Sequence, residues 1–168
     1  LDRAMPFLVR ALPQAAHADP IYAMEVLALD QERIKTLAGV PALTAFFFED
    51  QPDYDSALLL SKNLDTARAI AALDALLPVL REQDDWTHDT LLAALDGFVV
   101  ANGFVRKKAD GSEVPDRGPI FMLVRVAVSG RKETPGLPEM LVILGKERVL
   151  ARLGAARDKL ERFAATTK

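Results

Sequence analysis

Apolar positions recur at helical spacing along most of the chain. Asp19-Pro20 reads as an N-cap followed by proline at the first helical position. From there Ile21, Met24, Leu27, Ile34 and Leu37 predict one amphipathic run, closed by Gly39. Pro41 restarts a short segment, Ala42–Phe48. Its Phe46-Phe47-Phe48 triplet cannot lie on one helix face and is expected to wedge two packed lobes together. The polar stretch Glu49-Asp50-Gln51-Pro52-Asp53 interrupts the pattern and divides the chain into residues 1–52 and 53–168.

Beyond that boundary, Asp65 is expected to cap a helix carrying Ala67, Ile70, Leu73, Leu77 and Leu80, with Pro78 kinking or shortening its last turn. Thr87 caps another, with Asp89 in the first turn where the helix dipole favours an anion. It buries Leu91, Leu95, Phe98 and Val99 and stops at Asn102-Gly103. Phe104–Pro115 reads as a loop or small hairpin around Asp110-Gly111. Ile120–Val128 is almost continuously apolar and fits either a buried strand or a buried helix. Ser129–Pro138 reads as a loop and Glu139–Leu144 as a short helix ending at Gly145. Val149, Leu153, Ala156, Leu160 and Phe163 predict a last amphipathic helix with Arg and Lys on its outer face. With at most one strand pair, the fold class is all-α.

A length of 168 residues suits one domain or two small lobes sharing a core. The absence of Cys removes disulfide, thiolate-metal and thiol-nucleophile chemistry. The chain begins at Leu1 with no signal-peptide pattern, so it reads as a piece of a longer protein. The net charge of −3 conceals an asymmetry. Leu1–Gly103 carries 7 Lys+Arg against 16 Asp+Glu, and Phe104–Lys168 carries 14 against 8. A basic half is a candidate electrostatic footprint for nucleic acid, although a biased solvated surface would look the same.

Catalytic constellations are missing from the pattern. His17 and His88 are isolated, without metal-ligand spacing. Gly145-Lys146 is followed by Glu147 rather than Ser or Thr, so it is no phosphate loop. Asp84-Asp85 sits in a polar turn. Two features stand out. Arg125 interrupts an apolar run, where a charge is costly unless it is paired or aimed at a ligand. The loop Ser129–Leu137 combines Arg131 and Lys132 with a rigid Pro135-Gly136 turn and a leucine expected to be exposed, Leu137. Single-stranded RNA loops are read by splayed bases against such surfaces. An ion pair for Arg125 and a plain helix–helix connection for the loop are the simpler alternatives.

Three consecutive segments then resemble the C-terminal end of bacterial glutamyl-tRNA synthetases: Arg125-Val126-Ala127-Val128-Ser129-Gly130, Thr134-Pro135-Gly136-Leu137-Pro138-Glu139, and Val142-Ile143-Leu144-Gly145-Lys146-Glu147-Arg148. Upstream, Asp85-Trp86-Thr87 is similar to that family's Trp-Thr helix start, and Glu32-Arg33-Ile34-Lys35-Thr36-Leu37 to its Arg-x-x-Thr-Leu segment. Departures are Met122-Leu123-Val124 before the arginine, the linker Arg131-Lys132-Glu133, and Pro138 in place of the usual Phe.

The resemblance implies an all-α anticodon-binding region of two packed helical lobes, 1–52 and 53–168, with the catalytic domain lying before Leu1. It implies that Arg33 senses the third anticodon base. It places Arg125, Thr134, Pro135 and Leu137 around the first two bases. Arg131, Lys132 and Lys146 become candidate phosphate contacts. The implied partner is the anticodon loop of tRNA for glutamate, bound by a monomeric, cytoplasmic ligase. No cofactor is expected in this chain, and ATP and magnesium are expected for the full enzyme. A helical protein-interaction module without an RNA role is the alternative. It is distinguished by an exposed apolar patch, where RNA binding needs Arg33, Arg125 and Arg131 on one surface.

Overall fold

Prolines and short polar caps punctuate the helices. The computed structural model describes residues 3–167; Leu1, Asp2 and Lys168, at the outer ends of the two expected lobes, lie outside the described residues. Helix α1 (Met5–Ala11) is followed by a 3-10 turn at Pro13–His17 and then by α2 (Pro20–Leu29), where the Asp19 side chain accepts from the Ile21 N–H. A second 3-10 turn, Leu37–Gly39, leads into α3 (Val40–Phe48). Asp65 caps α4 (Thr66–Arg81) and Thr87 caps α5 (His88–Ala101) in a reciprocal box with Thr90. Strands β1 (Val105–Lys107) and β2 (Glu113–Pro115) form an antiparallel hairpin with Arg106 opposite Val114. The chain ends in α6 (Gly118–Ser129), α7 (Leu137–Leu144) and α8 (Lys146–Thr166). The fold is therefore all-α with one small hairpin.

Ile120–Val128 is a helix rather than a strand. Pro119 opens it, and Gly130, at φ 72, ends it in the left-handed region. Pro78 does not shorten α4, which continues to Arg81. On α4 the buried face is Ala69, Ala72, Leu73, Leu76 and Leu80, while Ala67 is exposed. The predicted α5 face, Leu91, Leu95, Phe98 and Val99, is the buried one.

The predicted run from Pro20 to Gly39 is not one helix. Helix α2 stops at Leu29, and Asp30 is its C-cap. The face it buries is Ala23, Val26 and Leu27, whereas Ile21 is 69% exposed. Continuing that face one turn brings position 30 inward, and position 30 is Asp. The carboxylate turns into the interior and the chain leaves the helix around it.

The core consists of two clusters. The larger joins Val26, Phe46 and Phe47 to buried residues of α4, α5, α6, α7 and α8. The smaller gathers Ala4, Leu8, Ala15, Ala23, Leu27 and Val40. Phe48 packs against both, so one member of the phenylalanine triplet bridges the two clusters. Helix α8 lies along α4 and also packs on α6 and α7. Its inward face is Val149, Arg152, Leu153, Ala156 and Leu160. The expectation that its basic residues all face outward fails at Arg152, which is fully buried.

Arg152 has no carboxylate partner among the described residues. Its guanidinium donates instead to three backbone carbonyls: Val128 in the last turn of α6, Phe46 in the last turn of α3 (2.7 Å), and Glu49 just beyond α3. Two helix C-termini thus point their partial negative charge at one cation. Burial still pushes its pKa down to about 10. Replacing Arg152 with Met would orphan these acceptors. At about 1–3 kcal/mol for each unsatisfied group, a loss of roughly 3 kcal/mol or more is expected in urea unfolding, and Arg152→Lys should lose less.

Candidate nucleic-acid interface

Arg33 lies in the turn that follows α2, 92 positions before Arg125 and 100 before Glu133. Its guanidinium donates from Nη1 to Asp30 Oδ1 at 2.9 Å and from Nη2 to the Glu133 carbonyl at 3.4 Å. The second bond crosses to the loop between α6 and α7. The Arg33 side chain remains 32% exposed, so its outer edge keeps donors for a ligand.

Arg125 projects from the last turns of α6 and is half-buried. No carboxylate pairs with it among the described residues, and its Nε finds no hydrogen-bond partner there. Burial lowers its pKa, and the nearby positive charge of Arg33 lowers it further. The simple alternative for this residue, a structural ion pair, is therefore absent from the described residues. Arg131 completes the basic group, its guanidinium 5.7 Å from the centroid of the Phe46 ring. Arg131 also contributes to the field that opposes the rise in the Asp30 pKa.

The loop itself is pinned at its start. The Ser129 hydroxyl donates to the Arg125 carbonyl at 2.6 Å and accepts from the Arg131 N–H at 3.1 Å. At Gly130, φ is 72 and an added Cβ would stand 3.2 Å from the Tyr54 ring. The α6 terminus therefore presses on the Pro52–Tyr54 segment, and only glycine fits there. Lys132 is exposed, and the half-buried Thr134 donates to the Pro135 carbonyl at 2.9 Å.

Leu137 is not the exposed loop residue that its neighbours suggested. Helix α7 begins at Leu137 rather than Glu139, with Pro138 in its first turn, and Leu137 is 1% exposed. Pro135 is buried as well. Both support the loop from beneath, leaving Arg131, Lys132, Glu133, Thr134 and Gly136 as its accessible part. Lys146 stands at the far end of α7, about 12 Å along an eight-residue helix. Its Nζ donates to the Gln83 carbonyl at 2.7 Å, so the structure does not bring it to the basic group. Trp86 is a strut: its indole N–H donates to the Leu141 carbonyl at 2.8 Å.

Sequence reasoning missed Asp30. It is fully buried, and its Oδ2 has no partner among the described residues. The available signal was the gap in the apolar pattern after Leu27, where Asp30 and Gln31 occupy the next same-face positions.

The family model described as "Anticodon binding domain" matches residues 1–157. The chain belongs to that anticodon-binding family. It is 38% identical over 169 residues to a glutamate–tRNA ligase of Roseiflexus sp. (strain RS-1), covering 97% of this chain and 31% of the relative. It is 40% identical over 161 residues to the glutamate–tRNA ligase of Solibacter usitatus (strain Ellin6076), covering 94% and 32%. The anticodon-binding chain thus spans about three-tenths of the curated relatives it matches. A crystal structure of a glutamate tRNA ligase from Elizabethkingia meningosepticum superposes with TM-score 0.70 at 16% identity, over 94% of this chain and 29% of that one. The glutamate-tRNA synthetase of Elizabethkingia anophelis superposes at 0.68 and 17% identity, over 94% and 28%. These two show a shared fold. Among the described residues of the anticodon-binding chain, no group of His, Asp or Glu is arranged to hold a metal. None of the helices among the described residues is long and apolar enough to cross a membrane.

Burial of Asp30 couples the stability of the fold to pH. Burial raises its carboxyl pKa above the ordinary 3.8, although Arg33 opposes the rise. The folded state therefore binds this proton more tightly than the unfolded chain does. The resulting stability is fully present below pH 3.8 and is lost as pH rises through the folded value. Wild type should gain stability relative to Asp30→Asn as the pH is lowered from 7 towards 4, measured by denaturant midpoints at each pH.

Proposed function

We propose that the chain recognises the anticodon loop of tRNA for glutamate, as the C-terminal part of a glutamate–tRNA ligase. The observation that carries this reading is that Arg33 bonds the Glu133 carbonyl of the 129–136 loop, the loop whose start is pinned by Ser129 between Arg125 and Arg131. Of the three guanidiniums, Arg33 alone has a carboxylate partner among the described residues, Asp30, so an anion or a set of base acceptors is needed to offset the rest of their repulsion. Arg33 reads the third anticodon base with its exposed edge, since a guanidinium, which only donates, bonds the O2 and N3 acceptors on the Watson–Crick edge of cytosine and meets the N1–H and N2–H donors of guanine there. Arg125 and Thr134 face the first two bases, while Pro135 and Leu137 hold that wall in shape. Arg131 and Lys132 contact the RNA backbone, with Lys146 an outlying phosphate contact.

In this reading the chain divides into lobes 1–52 and 53–168 and continues into a catalytic domain that attaches glutamate to its tRNA. ATP and magnesium are handled there. The enzyme acts as a cytoplasmic monomer.

The decisive comparison is aminoacylation by the full-length enzyme on tRNAs that differ only at the third anticodon base. Arg33→Ala is expected to cost about 1–3 kcal/mol of discrimination, the scale of one good bidentate base contact. Equal ratios for the two enzymes would sink the assignment. Arg131→Ala should weaken tRNA binding and reduce the salt dependence, a log–log slope of about −0.7 per neutralised phosphate, by one such contact.

One observation favours the interaction-module reading. Along α2 the residues Pro20, Ile21, Met24 and Ala28 form an apolar strip, with Ile21 69% exposed. Ile21→Asp separates the two readings, because tRNA binding through the basic group should be unchanged by it.

A further inference from the structure

We infer that Asp30 is a positioning residue for anticodon discrimination, holding the Arg33 guanidinium in the orientation that reads the third base. The inference rests on the function proposed for Arg33 above and extends it to a residue that touches no RNA.

Asp30 fixes Arg33 twice. Its backbone carbonyl accepts the Arg33 N–H at 2.9 Å and the Ile34 N–H at 3.0 Å, which sets the course of the turn. Its Oδ1 accepts from Arg33 Nη1 at 2.9 Å, which sets the side chain. The other bond to the Arg33 guanidinium, from Nη2 to the Glu133 carbonyl, is long at 3.4 Å. The carboxylate is the firmer of the two anchors. It belongs to a fully buried side chain, so its position is set by the surrounding core.

The fold gains little from the charge. Asp30 lies on the helical face that buries Ala23, Val26 and Leu27, a position an apolar residue would fill at no electrostatic cost. Its Oδ2 is buried without a partner among the described residues. Among the described residues, the one side-chain bond that uses the carboxylate is the one to Arg33. Asp30 also supplies negative charge beside guanidiniums that otherwise repel one another, since Arg33 lowers the Arg125 pKa and Arg131 acts on Asp30 itself. A single buried carboxylate thereby lets the basic group assemble before RNA arrives.

The test uses the full-length ligase and four variants: Asp30→Asn, Asp30→Glu, Arg33→Ala and Asp30→Asn/Arg33→Ala. The readout is the ratio of kcat/KM for tRNAs with cytosine or guanine at the third anticodon position, together with glutamate-dependent pyrophosphate exchange and the melting temperature. Asp30→Asn is expected to lower the ratio about tenfold through the KM of the cytosine tRNA, with exchange unchanged. The double variant should match Arg33→Ala, because Asp30 acts through Arg33. Asp30→Glu keeps the charge but moves it by one methylene, and should lower the ratio by less. It serves in place of Asp30→Asn should that variant fail to fold. A wild-type ratio in a folded Asp30 variant, with Arg33→Ala impaired, overturns the inference while the anticodon reading stands. A further loss in the double variant beyond Arg33→Ala also overturns it. An unchanged ratio in Arg33→Ala removes the anticodon reading and the inference together.

Discussion

The rest of the structure depends on one buried guanidinium. Arg152 sits on the inward face of α8 and donates to carbonyls at the ends of α3 and α6. A charge in such a place is costly, and the lowering of its pKa to about 10 records that cost. The cost is offset because helix C-termini leave carbonyls without intrahelical partners and carry partial negative charge. Two such ends meet one cation, so each group satisfies a need of the other. The arrangement joins α3, in the acidic half of the chain, to α6 and α8 in the basic half.

That junction is what places the candidate interface. The α6 end held by Arg152 is the one that carries Arg125, Ser129 and the start of the 129–136 loop. The α3 end it holds carries Phe46, over whose ring Arg131 lies. Nearby, Arg148 donates to the Phe47 carbonyl and to the Tyr22 hydroxyl, which ties α8 to α2. With α2 and α3 set against the loop, Arg33 comes within reach of the Glu133 carbonyl. Packing far from the basic surface thus determines which basic residues share it.

Much of the fold was legible because helix punctuation is local. Asp19-Pro20, Asp65 and Thr87 act through neighbouring N–H groups, and each caps the helix expected of it. Where the signal was periodicity alone, it failed at two buried polar residues. Asp30 broke the α2 run, and Arg152 turned inward on a helix whose basic residues were expected outside. Both positions continue an apolar face with a charged residue. Periodicity treats such a residue as solvent-facing, since its partner lies far away in the chain.

The same limit divides the site. The basic excess after Phe104, the isolation of Arg125 and the family-like segments around Thr134–Glu139 were all visible in the residues by themselves. So was the relevance of Arg33, through its resemblance to a known segment. What tertiary structure alone decided was their neighbourhood: Arg33 beside Glu133, Arg131 over Phe46, Leu137 beneath the loop rather than on it, and Lys146 drawn away to Gln83. Residue types and local spacing set caps, turns and faces because those interactions span a few positions. Contacts across about 100 positions depend on how the helices pack, and here a buried arginine and a buried aspartate, each placed by that packing, settled them.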